Sequence, residues 1–115
     1  MKYSNEEIFN FAAKTILRIF GHVDKKAVTK DAKLKYDLGF DDYDKQAIIS
    51  QFEAEFGGFI PYTKSFKNAI TLGEFCDILC KDMNNQKANE ENIKLLQNNK
   101  NSLFYRLKSI FTRQN

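Results

Sequence analysis

Proline is nearly absent from this chain, with one residue in 115, and only 5 glycines accompany it. Turn-rich β architectures need both, so the shortage argues for helices joined by short connections. Tryptophan is missing altogether, and histidine occurs once, at His22. A lone histidine with no paired serine or cysteine offers no nucleophile–base couple. No glycine-rich phosphate loop is present either, so catalytic residues are not expected and the chain is not read as an enzyme. No apolar run approaches the ~20 residues needed to span a bilayer. The opening Met1-Lys2-Tyr3-Ser4-Asn5-Glu6-Glu7 turns polar and acidic at once, unlike a signal peptide. A soluble, cytoplasmic protein is the expectation.

The chain does have a large aromatic complement, 11 Phe and 5 Tyr within a hydrophobic fraction of 43%. That is enough for one real core, and the length fits one compact domain plus an appendage. The net charge of +3 is unevenly placed: residues 1–83 hold 12 Lys+Arg against 13 Asp+Glu, and residues 84–115 hold 6 against 2. The positive balance therefore comes from the tail. Cys76 and Cys80 stand four apart on one face of a predicted helix. Zinc needs further ligands, and a disulfide within one helix is geometrically poor. They read as buried free thiols.

Helical periodicity places the elements. Ser4 with Glu7 three residues later forms a capping box, followed by an apolar stripe of Ile8, Phe9, Ala12, Ala13, Ile16, Ile19 and Phe20. Gly21 is the expected stop. A long connection from His22 to Phe40 has few strand signals, and Val23, Val28, Leu34 and Leu38 are expected to pin it. Asp41 is positioned to cap a second helix with Asp44 as its box partner. Tyr43, Ala47, Ile48, Phe52 and Phe56 are its expected buried side, and Gly57-Gly58 its stop. A short helical turn is expected near residues 63–68. Thr71 caps a further helix and Glu74 closes its box, with Phe75, Ile78 and Leu79 facing inward. After Asp82 an asparagine-rich stretch reads as linker with at most a marginal helix. Leu103, Phe104, Leu107, Ile110 and Phe111 then share one side of a predicted C-terminal helix, among Lys100, Arg106, Lys108 and Arg113.

Three signatures in order carry a family resemblance. Asp37-Leu38-Gly39-Phe40-Asp41-Asp42-Tyr43-Asp44 resembles the attachment motif of acyl carrier proteins, Asp-Leu-Gly-hydrophobic-Asp-Ser-hydrophobic-Asp. Phe52-Glu53-Ala54-Glu55-Phe56-Gly57 with Ile60-Pro61, and then Thr71-Leu72-Gly73-Glu74, resemble the end of that family's second helix and the start of its last. The resemblance covers residues 4–81. It implies an all-α, acyl-carrier-like four-helix bundle with a long first loop over residues 1–83. Residues 84–115 would add a polar linker and a basic amphipathic C-terminal helix.

In the family the motif serine carries a 4′-phosphopantetheine arm. Here the matching residue is Asp42, and a carboxylate cannot form the phosphodiester made on a hydroxyl. Ser50 and Ser65 lack the Asp-Ser context at a helix start. No cofactor is therefore expected. The family's partner-docking face corresponds here to Gln46, Ala47, Ser50 and Ala54, with Lys45 adding a positive charge and Tyr43, Glu53 and Glu55 still compatible with the pattern.

Asp42 admits three readings: a carboxylate favoured by the helix dipole, a permanent mimic of the phosphodiester charge, or part of an unmodified surface that still binds a partner. The cluster Asp37, Asp41, Asp42 and Asp44 lacks the Ca²⁺-loop spacing and reads as a capped helix start, with no metal expected. A protein partner of unknown identity is expected at Asp41, Asp42, Tyr43, Gln46, Ala47 and Ser50, and at Phe104, Arg106 and Lys108. The tail helix is read as packing on the bundle, docking in a partner's groove or lying on an anionic membrane surface. No nucleic acid is expected. The functional expectation is a noncatalytic, carrier-like binding or regulatory module; a working carrier of a fatty-acid, lipid or polyketide pathway and a structural domain of a larger assembly are the alternatives.

Overall fold

Four α-helices and one short 3-10 turn make up the ordered elements among residues 2–98, which the computed structural model describes, with side chains described through residue 88. The chain divides into two units, Met1–Asn84 and Asn85–Asn115. The phenylalanine-rich core lies in the first. Among the described residues no helix is long and apolar enough to cross a membrane.

Helix α1 (Asn5–Ile19) starts on the expected box. The Ser4 hydroxyl accepts the Glu7 N–H at 3.1 Å, and the Glu7 carboxylate accepts the Ser4 N–H at 3.2 Å. Ile8, Ala12, Thr15 and Ile16 are its buried face, and Phe9, Ala13, Ile19 and Phe20 are half-buried along its edges. The helix ends one residue before the expected glycine: Phe20 is its cap, donating to the Ile16 carbonyl at 2.9 Å. Gly21 is not in the left-handed conformation, so the stop comes from the turn at Phe20 rather than from glycine.

The long first connection contains the 3-10 turn Lys25–Ala27 and buries Ala32, Leu34, Leu38 and Phe40. It is stitched to the start of the last helix. Leu34 N–H donates to the Ile70 carbonyl at 2.9 Å, Leu72 N–H to Ala32 at 2.9 Å and Gly73 N–H to Lys30 at 2.8 Å. Lys33 and Thr71 form a single antiparallel bridge there. Such bonds contribute about 0.5–1.5 kcal/mol each and offset the slowly growing cost of closing a long loop. The third explains a signature residue: a Cβ at Gly73 would lie 3.0 Å from the Lys30 carbonyl oxygen. Glycine there is a matter of close approach.

Helix α2 (Asp42–Phe56) and the short α3 (Lys64–Asn68) flank the interior. Phe52, Phe66 and Phe75 are fully buried between the helices. Phe66 meets Phe75 edge-on at 5.3 Å, and Phe11 meets Phe52 edge-on at 4.7 Å. Three fully buried rings fill the interior with aromatic volume.

Helix α4 (Leu72–Asn98) is capped by Thr71, whose hydroxyl accepts the Glu74 N–H at 3.2 Å. The Glu74 carboxylate reaches one residue further back than a capping box requires, to the Ile70 N–H at 2.9 Å. The helix continues past Asp82 to Asn98. From Glu74 onward the sequence contains neither glycine nor proline, and its Gln, Lys, Glu, Ala and Leu residues sustain the helix that the asparagines weaken. Asn84, counted with the linker asparagines in the sequence, pairs with backbone: its amide accepts from Tyr3 N–H at 2.7 Å and donates to the Tyr3 carbonyl at 3.0 Å. The expected tail helix around Leu103 lies outside the described residues.

Cys76 and Cys80 are free and buried, as their spacing suggested. Burial, with Asp77 adding repulsion, pushes the Cys76 thiol up to about 12. Burial likewise raises Cys80, whose thiol donates to the Asn5 side-chain oxygen at 3.1 Å. Both are inert thiols at neutral pH.

Asn84→Ala should lower stability by about 1–2 kcal/mol, because it removes the side-chain hydrogen bonds to the Tyr3 N–H and carbonyl. Asn85→Ala, at an exposed position, should change stability by less than about 0.5 kcal/mol. Urea unfolding of the two variants beside the parent chain checks the contrast.

Candidate functional site

The Asp37–Asp44 stretch is built as a hook that delivers the chain to the start of α2. The Asp37 carboxylate accepts the Lys33 N–H at 2.8 Å, while the Lys33 carbonyl accepts N–H groups from Asp37 at 2.9 Å and Leu38 at 3.1 Å. Gly39 N–H donates to Lys35 at 3.1 Å and Phe40 N–H to Leu34 at 2.8 Å. Closing this hook puts Gly39 at a φ of 71°, a left-handed conformation that favours glycine. The result buries Leu38 and Phe40 on either side of it, at 3% exposure each. Phe40 packs on Phe20 with ring centroids 4.6 Å apart.

Asp41 then caps α2 as expected. Its carboxylate accepts the Asp44 N–H at 2.9 Å, and the Asp44 carboxylate accepts the Asp41 N–H at 3.0 Å. Three of the four motif aspartates are thus committed to backbone amides. Among the described residues no group of three His, Cys, Asp or Glu side chains is placed to hold a metal ion.

Asp42, in the first turn, is half-buried and turned toward the chain that leads into α3. Its carboxylate accepts a hydrogen bond from the Tyr62 hydroxyl at 2.6 Å. Tyr62 also stacks on buried Phe66, with centroids 6.2 Å apart. Burial, then the hydrogen bond to Asp42 and the charges of Asp42 and Asp41, raise the Tyr62 phenol well above the ordinary tyrosine range. The phenol therefore stays a donor at any physiological pH.

One turn on, Lys45 departs from expectation. The sequence places its charge on the exposed side of α2, whereas the side chain is only 7% exposed. Its ammonium reaches across to α3 and donates to the carbonyls of Lys67 at 3.1 Å, Ala69 at 3.4 Å and Phe66 at 3.5 Å. These are carbonyls at the end of a helix, where intrahelical partners run out. The spacing 45-48-49-52 gives the reason: Lys45, Ile48, Ile49 and Phe52 form the buried stripe of α2. Tyr43 and Ala47 fall off that stripe and are exposed, against the expectation that they face inward; Tyr43 is 82% exposed.

The structure brings Asp41, Asp42, Tyr43, Gln46, Ala47 and Ser50 to one end and one outer face of α2. Gln46, Ala47, Ser50 and Ala54 are all exposed, and the Ser50 hydroxyl donates back to the Gln46 carbonyl at 3.0 Å. Glu53 serves the fold, its carboxylate accepting the Ile60 N–H at 2.7 Å. Ser65 is exposed within α3. Phe104, Arg106 and Lys108 lie outside the described residues. Sequence reasoning missed Tyr62, which carries no local signal. It also missed Lys45, which the helical spacing could have found.

A phosphopantetheine phosphodiester needs an aliphatic hydroxyl at the helix start. Asp42, at the position that matches the attachment serine, offers a carboxylate and no hydroxyl. The Tyr62 hydroxyl beside it is a phenol, and it donates its hydrogen bond to the Asp42 carboxylate.

No family model matches this chain, and no solved structure matches it. Among curated proteins it is similar to an acyl carrier protein of Thermotoga maritima, 44% identical over 54 residues. The match takes in 47% of this chain and 65% of that protein, so the chain spans just under two thirds of the relative's length.

Tyr62→Phe should cost about 1 kcal/mol at neutral pH, the low end for a hydrogen bond to a charged group because the pair is part-exposed. Tyr62 holds its proton more tightly folded than unfolded. Its contribution is therefore complete below about pH 10, where an unfolded tyrosine titrates, and is lost as pH rises beyond that. The stability gap between the parent chain and Tyr62→Phe should hold from pH 7 to 9 and shrink above pH 10 in urea titrations. A gap that grows with alkalinity would contradict the assignment.

Proposed function

We propose that this chain is an acyl-carrier-like, noncatalytic binding or regulatory module that works without a phosphopantetheine arm. The observation that carries the reading is the 2.6 Å hydrogen bond from Tyr62 to the Asp42 carboxylate. The residue at the attachment position is committed to a structural partner and has no hydroxyl to modify. The helical bundle and the similarity to a curated acyl carrier protein supply the carrier-like part.

In this reading a protein partner engages Asp41, Asp42, Tyr43, Gln46, Ala47 and Ser50, and the protein acts in the cytoplasm beside fatty-acid or related biosynthesis. The α2 face offers an exposed tyrosine followed by small and uncharged side chains. It favours a partner that recognises shape and an aromatic anchor over one that recognises acidic charge alone. The basic tail with Phe104, Arg106 and Lys108 is a second contact region by its sequence pattern, toward a protein groove or an anionic membrane surface.

A second reading keeps the protein a working carrier with its acyl group attached at another residue. The 44% identity to a protein named an acyl carrier protein favours it.

Intact mass after incubation with coenzyme A and a broad-specificity phosphopantetheinyl transferase separates the two. The proposal expects no gain for the parent chain and a gain for Asp42→Ser. A gain on the parent chain would overturn the proposal in favour of the working carrier, and the modified residue could then be mapped.

A further inference from the structure

Beside Asp42 the surface opens into a pocket of about 560 Å³, within the range typical of small-molecule sites. Its lining is divided by charge. Lys35, Lys45 and Lys67 supply three ammonium-bearing chains, and Asp41 and Asp42 supply two carboxylates. Buried Phe40 and exposed Asn68 contribute as well, and Gly39 keeps the pocket free of a side chain at its hook.

The cationic part has a built member. Lys45 is nine-tenths buried and meets only backbone carbonyls. Among the described residues no carboxylate lies within 4 Å of its ammonium. Carbonyl dipoles solvate that charge without cancelling it, and the adjoining cavity is where a counter-charge would be felt most strongly. Lys35 and Lys67 are exposed, and the Lys35 ammonium lies over the Tyr36 ring at 5.6 Å.

The acidic part is half spent. One oxygen of Asp41 accepts the Asp44 N–H, and one oxygen of Asp42 accepts the Tyr62 hydroxyl. Each carboxylate keeps a second oxygen able to accept from a ligand hydroxyl. Three cations beside two acceptors suit a ligand with a doubly charged anionic end and hydroxyl groups on the remainder.

We propose that this pocket binds a small phosphorylated polyol, its phosphoryl group among Lys35, Lys45 and Lys67 and its hydroxyls toward Asp41 and Asp42. The inference does not rest on the partner reading above, because it requires only the pocket and its charges.

The test is an amide-resonance titration of the full chain with ribose 5-phosphate, with ribose and inorganic phosphate as separate arms. The expected result is saturable shifts at Gly39, Asp42 and Asn68 with ribose 5-phosphate, at a Kd of about 1 mM or tighter. Ribose should produce none, and inorganic phosphate should move the same residues more weakly. The double variant Lys35→Gln/Lys67→Gln changes only exposed side chains and should weaken binding by about tenfold. No saturable shift, equal response to ribose, or unchanged affinity in the double variant would overturn the proposal. Inorganic phosphate binding as tightly as ribose 5-phosphate would overturn the polyol assignment.

Discussion

The ammonium of Lys45 must be solvated by protein, and that requirement ties together the end of the molecule that carries the site. A buried cation left without polar partners would cost several kcal/mol. Here the carbonyls of Phe66, Lys67 and Ala69 supply them. Because those carbonyls close α3, the first turns of α2 and the end of α3 cannot move apart without exposing both sides of the contact. The Asp42–Tyr62 hydrogen bond repeats the tie one turn earlier and reaches the segment entering α3. The two contacts also depend on the same packing, since Tyr62 stacks on Phe66, whose own carbonyl receives Lys45.

The hook before α2 has a parallel logic. Asp37, Leu38, Gly39 and Phe40 each do structural work: a side-chain bond to Lys33, a buried leucine, a left-handed glycine and a buried ring. A sequence motif associated with attachment is thus, in four of its positions, a device for positioning a helix start. That separates folding from chemistry within one short segment. Position 42 lies beyond the bonds that close the hook.

Much of this was legible in the residues. The capping boxes at Ser4 and Asp41 follow from short-range spacing and were found where expected. The short third helix and the pinned first loop were also readable, because buried apolar side chains mark them. What failed depended on long-range contacts. Lysine is usually exposed, but the spacing of Lys45 with Ile48, Ile49 and Phe52 places it on the inner stripe. Tyr62 lies 20 residues from Asp42 in sequence, and nothing local announces the pair.

The central claim is that Asp42 is committed to Tyr62, and a double-mutant cycle with Asp42→Ala and Tyr62→Phe tests it most directly. Stability of the parent chain, both single variants and the double variant isolates the pairwise interaction from the effect of Asp42 on the helix dipole. A coupling of about 1 kcal/mol is predicted. Single-variant losses that add to within about 0.3 kcal/mol would contradict the account.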